Sequence, residues 1–221
     1  MSEKKRQQEE EYYRRRVAMV LDQIASRGVH DQSVLAAMRT VPRHEFVPEP
    51  DRIEAYSDGP LPIGREQTIS QPYIVASMTE LLRLHPTDKV LEIGTGCGYQ
   101  TAVLAEIATH VFSVERIAGL QAEARKQLER LGYRNVSLRV GDGFAGWAAY
   151  APYNAIIVTA AAPNVPPRLI EQLAPGGRMV LPLVRARGQQ LVRLTRKAQG
   201  LEQEDFYAVR FVPMLEDIEP D

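Results

Sequence analysis

A single cysteine, Cys97, stands among 221 residues. No internal disulfide can form, so stability must come from apolar burial, and a reducing compartment is compatible. No stretch approaches the roughly 18 consecutive apolar residues that a membrane span needs. The N-terminus lacks the apolar core of a signal peptide, and a cytoplasmic location is the expectation. Charge of one sign is not in excess: the formal net charge is −1. No global basic field therefore calls for nucleic acid. Histidines His30, His44, His85 and His110 do not fall at metal-ligand spacing with acidic residues or with Cys97, so no metal is expected. Repeats and low-complexity segments are missing as well. The one dense charge run, Glu3 to Arg16, mixes both signs and reads as a solvated helix face.

What is present describes an ordinary globular chain, 44% hydrophobic and 25% charged. Its length fits one domain with appendages. Val17, Met19, Val20, Leu21 and Ile24 form an apolar stripe at helical spacing, with Gly28 as its stop. Asp31 or Ser33 caps a second helix over Val34 to Arg39, which Pro42 closes. Pro42 to Pro62 reads as a long connection, a length often found at functional loops. The expected division is a helical and loop extension over residues 1–60, packed on a core over residues 61–221.

The core begins with a helix over Ser70 to Leu84, with Pro72 in its first turn. Strands and helices then alternate. Strands are expected over Lys89 to Gly94, His110 to Glu115, Val136 to Val140, Tyr153 to Ala160 and Arg178 to Leu183. Helices are expected over Tyr99 to Ala108, Ala118 to Leu131 and Pro167 to Leu173, with a turn at Pro175-Gly176-Gly177. Such alternation predicts an α/β fold, a mostly parallel sheet with helices on both faces. Two further strands, Gln190 to Arg196 and Phe206 to Pro213, would make an antiparallel edge.

Three strand ends carry the chemistry. After the first comes Glu92-Ile93-Gly94-Thr95-Gly96-Cys97-Gly98. Gly94 and Gly96 let the backbone turn tightly and approach a ligand, at the carboxyl end of a strand where nucleotide-like ligands bind. The third glycine comes one residue too early for the dinucleotide pattern G-x-G-x-x-G, which disfavours a nicotinamide oxidoreductase. A Glu92 carboxylate would repel a diphosphate and attract an ammonium group, favouring a nucleoside that bears an amino acid. Glu115 ends the next strand, about twenty residues on, where an acidic side chain accepts hydrogen bonds from ribose hydroxyls; the bland alternative is a surface glutamate paired with Arg116. Asp142-Gly143 follows the third strand. Asp142 can accept from an adenine amine while the Gly143 N–H donates to a ring nitrogen, or Asp142 can simply cap the next helix. Trp147, Tyr150 and Tyr153 can stack near adenine or pack in the core. Cys97 reads as a small packing residue.

With those residues in place, the sequence resembles the protein-L-isoaspartate O-methyltransferase family from about Val41 to Pro213. The segments that carry the likeness are Val41 to Pro48, Ile63 to Pro72, Glu92 to Tyr99, Gly141 to Trp147, Ala160 to Pro163 and Pro175-Gly176-Gly177. Thr68-Ile69-Ser70-Gln71-Pro72 is the most specific of them. The resemblance implies a Rossmann-like S-adenosylmethionine-dependent methyltransferase fold with an N-terminal helical extension. It implies a soluble repair enzyme that methylates the carboxylate of L-isoaspartyl and D-aspartyl residues, whose ester cyclises to a succinimide. Ser70 matches the family's active-site serine. Gln67, Thr68, Ile69, Glu92, Gly94, Thr95, Gly96, Glu115, Arg116, Asp142 and Gly143 are the expected cofactor contacts. Thr68, Ser70, Gln71 and Tyr73 are the expected acceptor contacts. S-adenosylmethionine and its product S-adenosylhomocysteine are the expected cofactor pair, isoaspartyl proteins and peptides the partners, and a monomer the expected state.

A carboxylate acceptor is ionised at neutral pH and needs no general base. It needs neutral hydrogen-bond donors that hold one oxygen in line, and Ser70 with nearby backbone N–H groups suits that. Without the resemblance Ser70 reads as a helix N-cap. Two positions depart from the family: Glu66 stands where it has glycine, and Asn154 where it often has aspartate. The alternatives are a small-molecule or RNA methyltransferase of the same fold, and a silent cofactor-binding sensor.

Overall fold

The computed structural model describes residues 3–216, 218 and 219. Helix α1 (Glu3–Ala18) has no buried residue. The chain then widens to π-helical bonding over Met19–Ile24, where Met19, Val20 and Ile24 are buried. Leu21, expected on the apolar stripe, is 50% exposed. Helix α2 (Gln32–Thr40) is capped by Asp31, whose carboxylate accepts from the Ser33 and Val34 N–H groups. The Pro42–Pro62 connection is not a loose loop. It forms short helical turns at Arg43–Phe46 and Glu49–Glu54 and buries Arg43, His44, Phe46, Ala55 and Tyr56. The Arg43 guanidinium donates to the Ala55 carbonyl at 2.7 Å and lies 4.9 Å from the Tyr99 ring centre.

A hairpin that periodicity did not reveal follows. Strands β1 (Leu61–Gly64) and β2 (Gln67–Ile69) pair antiparallel. Helix α3 (Pro72–Leu81) begins two residues later than expected; Gln71 occupies the N-cap with no side-chain cap bond, so Ser70 is not the cap.

The large sheet follows the predicted alternation. Its elements are β3 (Lys89–Ile93), α4 (Tyr99–Ala105), β4 (His110–Glu115), α5 (Ala118–Arg130), β5 (Val136–Val140), β6 (Tyr153–Val158), α6 (Pro167–Gln172), β7 (Leu173–Arg185), β8 (Gly188–Lys197) and β9 (Gly200–Val209). The strand order is β5-β4-β3-β6-β7-β8-β9. The first five strands pair in parallel, and β8 and β9 are antiparallel. The expected α/β sheet with an antiparallel edge is thus observed. Two details differ. The turn at 175–177 is an irregularity within β7, where Tyr153 pairs with Leu173 but Ala155 with Arg178. Strand β9 starts and ends earlier than the expected Phe206–Pro213, and residues 210–215 leave the sheet.

The pleat sorts side chains between two apolar layers. Val90, Val111, Ala155 and Ile157 face the layer built with α2 to α5 and the N-terminal segment. Leu91, Ile93, Phe112, Val114, Ile156 and Val158 face the layer with Leu169 of α6. Each fully buried Leu or Ile contributes about 1.5–3 kcal/mol. A strand buried on both faces has no polar alternation, which is why β3 and β6 read as near-continuous apolar runs. Asn154 makes a specific bond: its Oδ1 accepts from the Lys89 N–H at 2.9 Å, tying the start of β6 to that of β3.

Candidate functional site

Strands β3, β4 and β5 step outward on one side of the sheet, and β6 returns to the other side of β3. The loops after β3 and β6 therefore part, leaving a crevice at their carboxyl ends. A cavity occupies it. Its floor is Gly94 to Cys97 after β3, Glu115 to Ile117 after β4, Gly143 after β5, and Thr159 and Ala160 after β6. The β1–β2 hairpin and α3 supply one wall, through Glu66 to Ser70 and Ile74, and residues 212–215 supply another.

Close approach explains the glycines. Gly94 has φ +95, and a Cβ there would sit 2.3 Å from Thr159 Oγ1. Thr159 Oγ1 donates to the carbonyls of Ile93 and Gly94 at 3.0 and 2.9 Å, stitching β3 to β6 under the cavity. A Cβ on Gly143 would meet Ile93 Cγ2 at 2.5 Å. Glu115 is 5% exposed. Its Oε2 accepts from the Gly96 N–H at 2.8 Å and its Oε1 from the Ile117 N–H at 3.0 Å. An ionised carboxylate has about four acceptor positions, so each oxygen keeps capacity for a hydroxyl while its orientation is fixed by the backbone.

Glu92 behaves otherwise. By the pleat it shares the face of Val90, beneath α4, and does not line the cavity. It is 0% exposed. Its Oε2 accepts from Thr101 Oγ1 at 2.5 Å and Ser113 Oγ at 2.6 Å, while Oε1 has no partner. Thr95 Oγ1 lies 2.6 Å from Ser113 Oγ, linking the network to the glycine turn. Burial pushes the Glu92 carboxyl up to about 8, against the lowering by Ser113 and Thr101. Burial thus disfavours its charged form, and its link to the cavity runs through the Ser113 and Thr95 hydroxyl groups.

Ten of the residues singled out in the sequence share the cavity wall: Gln67, Thr68, Ile69, Ser70, Gly94, Thr95, Gly96, Glu115, Arg116 and Gly143. Four lie off it. Besides Glu92, these are Asp142, whose Oδ1 accepts from the Phe144 N–H at 2.8 Å as a cap; Gln71, which donates to Asp58; and Tyr73, whose ring carries Arg27 at 3.8 Å. Trp147, Tyr150 and Tyr153 also stand away from the cavity, clustered round Phe112. Sequence reasoning missed Thr159, although it follows β6 at the level where Gly94 follows β3. It also missed residues 212–215. These cross the sheet's end: Ala161 donates to the Val212 carbonyl and Met214 to the Ala161 carbonyl, at 2.8 and 2.9 Å. Further on, the Glu219 N–H donates to the Arg116 carbonyl at 2.9 Å, and Glu219 pairs with the Arg116 guanidinium at 3.0 Å.

The family model for protein-L-isoaspartate(D-aspartate) O-methyltransferase matches residues 14–219. The chain belongs to that family. Proteins named protein-L-isoaspartate O-methyltransferase from Picosynechococcus sp. and Geobacter metallireducens are 55% and 54% identical to it. Each match covers 90% of this chain, and 89% and 93% of theirs. A solved structure of a protein-L-isoaspartate O-methyltransferase shares 31% identity over 88% of this chain, with a TM-score of 0.79, and this chain spans 64% of that one. A Plasmodium falciparum structure in complex with S-adenosyl-L-homocysteine has the same fold, with a TM-score of 0.79 at 23% identity over 91% of this chain and 99% of its own.

In this isoaspartate methyltransferase, Cys97 lines the cavity, but burial pushes its thiol up to about 11, so it stays protonated. His44 corrects the expectation that no histidine clusters with acidic residues at metal-ligand spacing. Its Nε2 lies 3.9 Å from Glu9 and 3.7 Å from Glu45, while Nδ1 meets the Tyr56 hydroxyl at 2.8 Å. Burial pushes His44 down to about 4. Arg130 and Arg52 already engage Glu45, and their positive charge opposes a divalent cation there.

Proposed function

We propose that this chain transfers the methyl group of S-adenosylmethionine to the carboxylate of L-isoaspartyl, and D-aspartyl, residues in damaged proteins and peptides. The observation that carries the reading is one cavity that joins the glycine turn and Glu115 to Thr68 and Ser70 on the opposing wall. The residues suit the cofactor: Gly94 to Gly96 leave room for a close-lying ligand, and Glu115 offers two oriented oxygens to a ribose. Bound S-adenosylmethionine supplies an electrophilic methyl carbon, so the protein's part is alignment. Gly96 and Ile117 N–H groups hold Glu115 in place. Gln67 to Ile69 border the cofactor, and Gly143 admits an adenine edge with Asp142 beside it. On the acceptor side Ser70 is half-buried and presents a neutral hydroxyl. It steers a carboxylate oxygen without the charge neutralisation a lysine would impose. Gln71 and Tyr73 extend that side toward the substrate chain. Arg116, held by Glu219, closes the ribose end. The same reading describes a cytoplasmic monomer, an extension over residues 1–60 on a methyltransferase core, and no role for nucleic acid or a membrane. The balanced charge supports this, and among the described residues no helix is long and apolar enough to cross a membrane.

Two peptides differing only in Asp or isoAsp, incubated with radiolabelled S-adenosylmethionine, provide the test. Base-labile label should enter only the isoAsp peptide. Equal label in both, or none with cofactor binding verified, overturns the proposal.

A further inference from the structure

The connection between β1 and β2 is a two-residue turn, and both residues take the left-handed backbone: Arg65 at φ +51 and Glu66 at φ +58. Two-residue hairpins with this geometry are normally made by Asn-Gly or Gly-Gly, because other residues are strained there. Non-glycine residues held in that region concentrate at functional sites. Glu66 fits that pattern in position, since it lines the cavity while remaining exposed, directly before β2, whose residues Gln67 to Ile69 lead along the cavity wall to Ser70. Arg65, the other turn residue, does not line the cavity and is engaged in an interaction of its own.

The cavity wall carries three charged side chains: Glu66, Glu115 and Arg116. Glu115 is buried and bound by two backbone N–H groups. Arg116 is paired with Glu219. Among the described residues no ion pair engages Glu66. Among the described residues that line the cavity, its carboxylate is therefore the exposed charge without an ion pair, at the turn that leads into the wall segment Gln67 to Ser70.

We propose that Glu66 is a specificity-determining residue: it favours acceptor chains with lysine or arginine beside the isoaspartyl residue and disfavours those with glutamate or aspartate. The inference rests on the acceptor reading above and sharpens it from a damaged residue to a charge context. Exposed charge pairs change equilibria by about two- to fivefold, and attraction to one peptide adds to repulsion from the other. The expected preference is about four- to twenty-five-fold in kcat/KM, carried mainly by KM. Because the carboxylate is exposed, the preference shrinks near 1 M salt, where the screening length is about 3 Å.

The test compares two isoaspartyl peptides that differ only in lysine or glutamate next to the isoaspartyl residue, at low and high salt. Wild type should prefer the lysine peptide at low salt. Glu66→Gln keeps the side-chain shape, and Glu66→Gly suits the backbone; in both variants the ratio should fall toward one. A ratio unchanged in Glu66→Gln, or no preference in wild type, overturns the role of Glu66 while leaving the methyltransferase reading intact. Label in neither peptide, with cofactor bound, overturns the acceptor reading itself.

Discussion

A carboxyl group that holds its proton to about pH 8 in the fold, as Glu92 does, weakens the fold as pH rises. The unfolded chain ionises near 4.5, while the native state must keep the proton. Stability is therefore lost progressively between about 4.5 and 8, and levels off above. Glu92→Gln removes the ionisation, and its amide oxygen can accept from Thr101 and Ser113. Its melting temperature relative to wild type should climb across that window; a constant difference from pH 5 to 8 would show that Glu92 does not titrate there. Two other residues separate by function. Glu115→Ala should raise the Kd for S-adenosylmethionine at least tenfold, about 1.4 kcal/mol, less than the two charge-assisted bonds at about 1.5–3 kcal/mol each that it removes. Ser70→Ala should depress kcat more than it weakens cofactor binding. Calorimetry together with single-turnover kinetics reads both, and the reverse pattern would exchange their assignments.

Among the elements, α1 has no buried residue, yet Tyr12 stacks on His44, with ring centres 3.9 Å apart and planes at 16°. Removing residues 3–11 should leave the melting temperature within about 2 °C, as surface changes do. Tyr12→Ala should cost about 0.5–1.5 kcal/mol. It should also bring His44, now at about 4, back toward 6.5. Wild type loses stability as pH falls from 6.5 to 4 because native His44 resists protonation, so the variant should lose less over that window. Acid titration followed by circular dichroism checks the sign. The elements also differ in how they could be read. β3, β4 and β6 were legible because both faces are buried and every position is apolar or hydrogen-bonded. The β1–β2 hairpin was not: its strands span four and three residues, and its turn has Arg-Glu where sequence signals call for glycine. Strand β9 begins with exposed, mostly polar residues whose side chains pair with β8, as Glu204 does with Arg193, so its paired backbone left no apolar alternation. Glu115 and the glycine turn could be placed by spacing alone. Glu92 was placed in the right strand, yet which face it takes depends on the pleat, and the pleat is fixed by its neighbours.

For the whole molecule, a ligand that binds only the folded state adds stability by mass action. S-adenosylhomocysteine at about 100 times its Kd should contribute about 2.7 kcal/mol, or about 5–10 °C for a chain of this size. A thermal melt measures it, and Glu115→Ala should flatten the response at the same ligand concentration. An unmoved melting temperature in wild type would place the cofactor elsewhere. The cavity wall that makes this coupling possible is gathered from residues 63–78, 93–117, 143, 159–160 and 212–215. Contacts that far apart in the chain form late, because long loops must close first. Competence to hold the cofactor is then expected only when the hairpin, the sheet and residues 212–215 are all in place, so a copy of this repair enzyme that has lost that arrangement could not work on the damaged chains of others.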